Sequence, residues 1–292
     1  MDYTNTGADS TKIGSPATDY VLPFGTEFAT RHSTAGCRDI AQSGLILLSE
    51  IGSTMHGVSS VDTGDDLDLM GICIEPPTES LGLGDFEQYE YRDRKVNERS
   101  QEGDTDLVVY GLRKWVKLAA TGNPTVIMPL FSDPDLHIKQ INATGLLVRS
   151  DFPKFLSQQA GHRFLGYLDG QLQRYLDPDR VDSKHATRPE LVEKYGWDTK
   201  TGYHALRLAI QGKQLMDHAH IDLPMRAEDR EFLLDVRHGR YTRDWVIEET
   251  HRRIDLLKTA IAQSRLPETA DRDLISRWMA NVQRVWWDEN GL

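Results

Sequence analysis

The sequence predicts an α+β protein in which a small mixed-sheet domain is followed by an all-helical domain. Short apolar runs bounded by glycine or proline, typical of strands, are confined to the first half of the chain. Apolar residues at helical spacing dominate after about residue 146. The predicted organisation is a flexible segment at 1–20, the mixed-sheet domain at 21–146 and the helical domain at 147–292.

Composition narrows the class of protein. Of the 292 residues, 39% are hydrophobic, which is enough apolar material for a core and excludes wholesale disorder. The two cysteines, Cys37 and Cys73, cannot form a disulfide scaffold or a cysteine-based zinc site. No apolar run approaches the roughly 18 residues that span a bilayer, and the polar N-terminus lacks a signal-peptide core. We therefore expect a cytoplasmic protein with no membrane partner.

The net charge of −11 is spread unevenly. Residues 1–146 contain 11 Lys and Arg against 22 Asp and Glu, whereas residues 147–292 contain 23 of each. An acidic surface repels phosphates unless cations neutralise it. The distribution therefore indicates either a metal site in the first half or a partner other than nucleic acid.

Three apolar runs in the first half predict strands, at 44–51, 67–74 and 106–110. A helix is expected around 27–41, and 78–103 is interpreted as a long excursion or a hairpin. Two further helices are predicted. The first is indicated by apolar residues at helical spacing, namely Leu112, Trp115, Val116 and Ala119. The second is indicated by Asn123-Pro124, with Asn123 as the N-cap and Pro124 in the first turn.

The second half contains four apolar stripes at helical spacing. Each predicts an amphipathic helix, and the stripes are Phe164/Leu165/Leu168/Leu172/Tyr175/Leu176, Leu206/Ile210/Leu215, Ile247/Ile254/Leu257/Ile261 and Leu274/Trp278/Val282/Val285. The basic run that begins at Arg237 is expected to be a solvated surface, because acidic residues interleave it.

The chemistry of the chain is indicated by paired acids at the start of a predicted strand. Asp66 and Asp68 are two residues apart, so their side chains point to the same face. Neighbouring carboxylates repel each other and usually need a cation between them. Asp106 opens the next strand, and three acids on adjacent strands can hold two divalent ions for phosphoryl or nucleotidyl transfer.

Gly52-Ser53 provides a complementary feature, because it follows a buried strand and precedes a short turn closed by Gly57. Glycine allows a phosphate to approach the backbone, and the turn's N–H groups and the Ser53 hydroxyl can donate to it. The Gly-Lys-Ser/Thr ending of a Walker A loop and the G-x-G-x-x-G of a Rossmann fold are both absent. His56, within this turn, is expected to be a local hydrogen-bonding residue rather than a catalyst.

Two simpler interpretations of the acids were considered. An EF-hand that starts at Asp66 would need an acid at Met70 and a glutamate at Pro77, so it is excluded. An isolated D-x-D can also be a solvated acidic turn. The order of strand, Gly-Ser, turn, D-x-D strand and a further acid-bearing strand is much more specific than the pair alone.

In these motifs the chain resembles the nucleotidyltransferase superfamily related to DNA polymerase β. It is similar in particular to the predicted nucleotidyltransferases of the RNA repair pathway DNA polymerase beta family of bacteria and phages. The similarity extends over roughly residues 45–240, with the matching segments in the same order along the chain. Beyond the Gly-Ser turn and the D-x-D pair, these segments are 106–124, 164–167, 194–200 and 204–207. The resemblance implies a polymerase β-like nucleotidyltransferase fold for 21–146.

By position, the resemblance implies that Gly52 and Ser53 bind a triphosphate and that Asp66, Asp68 and Asp106 bind metal and carry out catalysis. One departure concerns the residue before the pair, where a serine is frequent in the family and this chain has Asp65. Asp104 competes with Asp106 for the role of third acid, since both lie on the same face of the strand.

Lys200, His204, Arg207, Gln211 and Gln214 follow one another at steps of four and three residues. This spacing places them in one stripe on a predicted helix. The stripe is either the wet face of an amphipathic helix or a basic wall that contacts nucleotide phosphates. The resemblance favours the second interpretation for Lys200, His204 and Arg207.

We therefore expect a nucleotidyltransferase that uses Mg²⁺, with Mn²⁺ as the alternative ion, and an NTP substrate. RNA, as tRNA or another 3′ end, narrowly ranks first as acceptor. Transfer to a protein or a small molecule is the alternative within the same chemistry. A non-catalytic nucleotide-binding module, such as half of a toxin–antitoxin pair, is the alternative from another class. The oligomeric state is left open.

Overall fold

The structure, a computed structural model, describes residues 20–59, 66–95, 98, 103–176 and 188–292. The predicted flexible segment 1–20 therefore lies outside the described residues, apart from Tyr20. The strands are β1 (Leu45–Glu50), β2 (Leu67–Cys73), β3 (Gln88–Arg92), β4 (Thr105–Gly111) and β5 (Ile138–Ile141). The α-helices are α1 (Ala35–Ser43), α2 (Gly52–His56), α3 (Pro77–Ser80), α4 (Leu112–Ala120), α5 (Ala143–Ser150), α6 (Gln158–Leu176), α7 (Pro189–Tyr195), α8 (Thr199–His218), α9 (Ala227–Arg237), α10 (Arg243–Gln263) and α11 (Arg272–Glu289).

The strands form one mixed sheet in the order β3-β4-β2-β1-β5. β2 and β4 are parallel, and the other neighbouring pairs are antiparallel. β1 and β2 lie near the middle of the sheet and are almost entirely buried. The predicted fold class, a mixed sheet followed by helices, is confirmed.

The three predicted strands are all present, within one or two residues of their expected bounds. The helix expected at 27–41 begins later, at Ala35, because Thr34 caps it by accepting from the Cys37 N–H. Before the cap, the Thr30 and Ser33 side chains bond to nearby backbone groups. Such local bonds compete with helix formation, which explains the difference.

The prediction of a helix that starts at Asn123-Pro124 is wrong. The segment forms turns and then a short 3₁₀-helix at Met128–Leu130. The Asn123 side chain accepts from the N–H groups of Thr125 and Val126, which closes a tight turn instead of capping a helix. The turn is fixed further by the indole N–H of Trp115, which donates to the Val126 carbonyl at 3.1 Å.

The helical half is built mainly on α6, α8 and α10, which pack against one another. Phe164, Leu168 and Leu172 are buried as the spacing predicts. The stripe predicted on α11 is rotated: Ile275 and Val282 are buried, whereas the side chains of Leu274 and Val285 remain 41% and 37% exposed. Trp278 covers part of the core beside them and donates to Asp151.

One apolar core contains residues from both halves of the chain, among them Ile46, Trp115, Phe164 and Leu257. The boundary near residue 146 therefore stays a prediction. In the described part of the chain, no helix combines the length and the apolar composition needed to cross a bilayer.

The far end of β2 is held by α11. Glu75 is buried just beyond β2, and burial raises the pKa of its carboxyl. Its carbonyl accepts from the Trp287 indole N–H at 2.9 Å, and its side chain accepts from the Arg113 N–H at 3.2 Å. The last helix is thus attached to the sheet at the end of β2 that lies away from Asp68.

α8 starts at a strong N-cap. The Asp198 carboxylate accepts from the N–H groups of Lys200 and Thr201 at 3.1 and 3.2 Å and also from the Thr201 hydroxyl. It pairs in addition with Arg188 at 3.3 Å. The cap fixes where the first turn of α8, and therefore Lys200, lies.

We expect Asp198→Ala to lower the free energy of unfolding by about 1–2 kcal/mol, because two N–H groups lose their acceptor. Urea denaturation measures this change. Asp198→Asn is the matched control, since its side-chain oxygen can still cap the helix, and it should retain most of the stability. Equal losses in both variants would show that the charge matters and the cap does not.

Candidate functional site

The predicted acids lie together at one edge of the sheet. In the parallel pairing of β2 with β4, Asp68 is directly opposite Asp106. Residues opposite each other in adjacent strands have side chains on the same face. Asp66 precedes Asp68 by two residues, so the sequence pattern directs its side chain to that face as well.

The Gly-Ser turn contacts this acidic edge. Gly52 follows β1 in a left-handed conformation, with φ of 73°. A Cβ atom added there would lie 2.2 Å from Asp68 Oδ2. The N–H of Ile51 also donates to the Asp68 carbonyl at 2.9 Å. Glycine is therefore required both by the backbone conformation and by the carboxylate in front of it.

Burial and neighbouring charges act together on the Asp68 carboxyl. Burial first, and then the charges of Asp106 and Asp66, raise the pKa of the Asp68 carboxyl from 3.8 to about 6. Lys200 and Arg94 act in the opposite direction. The three predicted acids therefore interact strongly, and cations already lie close to them.

Arg94 is a part of the site that the sequence did not indicate. Its two terminal nitrogens donate to the two carboxylate oxygens of Asp106 at 2.7 and 2.6 Å, and it lies 3.7 Å from Asp104. Arg92 approaches Asp106 to 3.9 Å. The pairing of β3 with β4 brings both arginines to this site. They belong to the segment 78–103, whose polar composition predicted only an excursion or a hairpin.

Asp104 and Asp106 occupy different positions relative to the pair. Asp106 is in register with Asp68 and contributes to its raised pKa. Asp104 precedes β4, and its carbonyl accepts from the Leu67 N–H at 2.8 Å. The geometry favours Asp106 as the third acid beside Asp66 and Asp68.

The donor set suits a hard divalent cation, since it consists of carboxylate oxygens. Among the described residues, however, no group of three or more His, Cys, Asp or Glu side chains is already arranged to hold a metal ion. Arg94 engages both oxygens of Asp106. An ion that binds Asp106 must therefore compete with Arg94.

A basic face of α8 lies on the other side of the turn. Burial lowers the pKa of the His204 imidazole well below its usual value, and four cations lower it further: Arg207, Lys200, Arg188 and Arg237. Lys200 also acts on Asp68, so this face reaches the acidic edge. Arg188 and Arg237 were not predicted here. Arg237 is not simply part of a solvated surface, since it donates to the Val58 carbonyl at 2.9 Å.

His56 joins the Gly-Ser turn to this face. Its Nε2 lies 2.8 Å from Arg207 Nη1, and its Nδ1 lies 3.1 Å from the amide nitrogen of Gln211. Its hydrogen-bond partners are thus about 150 residues away in sequence, not local as expected. Burial, Arg207, His204 and His137 lower its pKa well below 6.5, so the ring is neutral near pH 7.

The predicted stripe on α8 divides into two parts. Gln211 is fully buried in the contact with His56, which excludes a wet face at that position. Gln214 instead bonds to Asp222 in the segment after α8. Lys200, His204 and Arg207 therefore remain beside the turn, and Gln214 does not.

The arrangement has a clear electrostatic form. An edge of carboxylates lies on one side of a glycine turn, and a helix face with several cations lies on the other. Such a combination of charges suits a ligand that carries both bound cations and negative phosphates.

A family model described as the RNA repair pathway DNA polymerase beta family matches residues 27–281. No curated protein matches the chain in sequence. Two solved structures share 13% and 12% identity with it. They are a nucleotidyltransferase-like protein from Exiguobacterium sibiricum 255-15 (78% of this chain, 72% of that chain, TM-score 0.28) and a spectinomycin adenyltransferase from Enterococcus faecialis with ATP and spectinomycin (77%, 94% and 0.36). With TM-scores this low, no conclusion rests on these structures.

We expect Asp68→Asn to stabilise the metal-free protein at neutral pH. The raised pKa means that the native state binds a proton more tightly than the unfolded chain, so ionised Asp68 destabilises the fold above about pH 6. The gain should be about 1–2 kcal/mol near pH 7.5, allowing for solvent screening, and should vanish toward about pH 4. Urea denaturation in EDTA at several pH values measures it. Exposed Asp255→Asn is the control, and a gain independent of pH would contradict the prediction.

Proposed function

We propose that this chain transfers a nucleoside monophosphate from an NTP to an acceptor hydroxyl. The reason is that it belongs to the RNA repair pathway DNA polymerase beta family. The resemblance stated from the sequence is confirmed by the family match, and with it the class of enzyme, a nucleotidyltransferase. The observation that supports the proposal is the contact between Gly52 and Asp68, which brings the Gly-Ser turn directly against one of the acids.

We propose that Asp66, Asp68 and Asp106 bind Mg²⁺, or Mn²⁺ in its place. Carboxylate oxygens are the ligands these ions prefer, and burial together with the charges of Asp106 and Asp66 raises the pKa of Asp68, so a bound cation would stabilise its ionised form. When bound, the ions would neutralise phosphate charge and activate the attacking oxygen.

In this proposal the chain's own groups bind and orient the triphosphate. The N–H groups of the turn at Gly52 and Ser53 and the Ser53 hydroxyl donate to phosphate oxygens. Lys200 and Arg207 on α8 supply positive charge, and neutral His204 lies between them. Positioning and charge neutralisation are the main sources of catalysis in such transfers.

The chemical step follows from these positions. An acceptor oxygen attacks the α-phosphorus, the bond to the bridging oxygen breaks, and pyrophosphate leaves. The proton of the acceptor hydroxyl passes to a carboxylate of the site, and Asp106 assists this step either as the base or as a ligand of the ion that lowers the pKa of the hydroxyl.

RNA is the acceptor that we propose first. Support comes from the name of the family, which places its members in RNA repair. Against it, the second half of the chain has no excess positive charge. Nucleotidylation of a protein or small molecule, and a non-catalytic or toxin–antitoxin role, remain the alternatives. The cytoplasmic location also stays a prediction.

Transfer is tested with each of the four α-labelled NTPs, Mg²⁺ or Mn²⁺, and either total RNA or protein extract. We expect label in RNA that nuclease removes and protease does not. Asp66→Asn should abolish transfer, while exposed Asp255→Asn should not change it. Label in protein would support the alternative acceptor, and bound NTP without any transfer would favour a non-catalytic module.

We expect Arg94→Gln to tighten Mn²⁺ binding, because the side chain that occupies both oxygens of Asp106 no longer competes. We expect binding to be several-fold tighter, because the ion no longer has to break the Arg94–Asp106 ion pair, which is worth about 1 kcal/mol or more. Electron paramagnetic resonance of free Mn²⁺ measures this without turnover. Arg252→Gln, an exposed arginine paired with Glu249, is the control. Unchanged or weaker Mn²⁺ binding in Arg94→Gln would mean that Arg94 does not compete with the ion.

A further inference from the structure

Arg207 is a partly buried cation, with a buried Nε, whose hydrogen-bond partners are neutral. Its Nη1 donates to Gln211 Oε1 at 2.9 Å and lies 2.8 Å from His56 Nε2. Within the described residues, no carboxylate forms an ion pair with it. Several other arginines in the described residues differ, since Arg94, Arg226, Arg252 and Arg253 all face acids.

This arrangement is costly in the absence of a ligand. A buried charge is normally paired with an opposite charge, because desolvation disfavours it. Burial lowers the pKa of the Arg207 guanidinium, yet an arginine keeps its proton near neutral pH. Its Nε is buried and has no hydrogen-bond partner. The guanidinium thus retains both uncompensated charge and hydrogen-bonding capacity, and both point to an anion.

The position of the pair connects it to the proposed nucleotide site. His56 is the last residue of α2, whose first residues are Gly52 and Ser53. Arg207 lies two turns along α8 from Lys200, and the charges of both residues act on His204, which is between them in sequence. An anion bound between α2 and α8 would therefore be attracted by the positive charge of Arg207.

We propose that His56 and Gln211 are positioning residues that hold Arg207 by its Nη1 group without neutralising it, so that its charge is kept for the phosphates of the bound NTP. The inference rests on the proposed function of this same site. It adds the reason why the partners are an amide and an imidazole: each accepts a hydrogen bond from the guanidinium but brings no negative charge.

The protonation of His56 is consistent with this role. Because Arg207 can only donate, Nε2 of His56 must be the ring nitrogen that carries no proton, so the proton of the neutral ring lies on Nδ1, which faces Gln211. The charges that face the ring belong to Arg207 on α8, and the titratable neighbours are His204 on α8 and His137 before β5. None of these groups stabilises an imidazolium, so the ring remains an acceptor.

Gln211→Glu tests the inference most directly, because it changes charge with almost no change of shape. A carboxylate beside Arg207 would form the ion pair that the native site lacks. We expect binding of a non-hydrolysable NTP analogue to weaken about tenfold or more, as for loss of a charge-assisted contact. The free energy of unfolding should stay the same or rise. Gln173→Glu, which adds the same charge at an exposed position of α6, should leave binding unchanged.

His56 provides a second pair of variants. His56→Gln places an amide oxygen near the position of Nε2 and should retain analogue binding, whereas His56→Leu removes the acceptor. In steady-state kinetics, His56→Leu should raise KM for the NTP about tenfold, with a smaller effect on kcat. Rescue by glutamine separates positioning from simple packing.

The outcomes are distinct. If the wild-type chain binds no NTP analogue, the proposed function fails. If the wild type binds it and Gln211→Glu binds equally well, only this inference is overturned. Equal loss of binding in His56→Gln and His56→Leu, with equal loss of stability, would likewise show that the two residues serve only the core.

Discussion

The structure depends on how it tolerates several carboxylates in a small space. Asp68 lies opposite Asp106 on parallel strands, and the Gly52 backbone closes in on it from β1. In the form described here the repulsion is offset by cations of the chain itself, chiefly Arg94 and Lys200. The acidic first half and the helical second half are therefore linked by charge as well as by a shared apolar core.

The helical half contributes more than a scaffold. Asp198 fixes the start of α8, and α8 then carries Lys200, His204 and Arg207 past the Gly-Ser turn. His56 connects the turn to the same helix through its contacts with Arg207 and Gln211. The acidic edge and the basic face of α8 are thus set relative to each other by directional polar contacts, and not by apolar packing alone.

Much of this could be predicted from the sequence where the signal is local. Apolar runs, glycine and proline placed β1, β2 and β4, and the two-residue spacing of Asp66 and Asp68 placed the acids on one face. Arg94, Arg188 and the contacts of His56 were missed because their partners are distant in sequence or belong to segments without periodicity. The rotated stripe of α11 and the turn at Asn123 had a different cause, since side-chain bonds and neighbouring helices overrode the local pattern.

The attachment of α11 to Glu75 has a consequence for the order of folding during synthesis. The strand that bears Asp68 is made early, yet the buried carbonyl and carboxylate beyond its far end find Trp287 and Gln283 only some two hundred residues later. A ribosome-bound chain that has not yet reached this helix leaves those polar groups and the adjoining apolar surface uncovered. Translation must therefore pass almost to α11's last turn before the earliest strands acquire their complete environment.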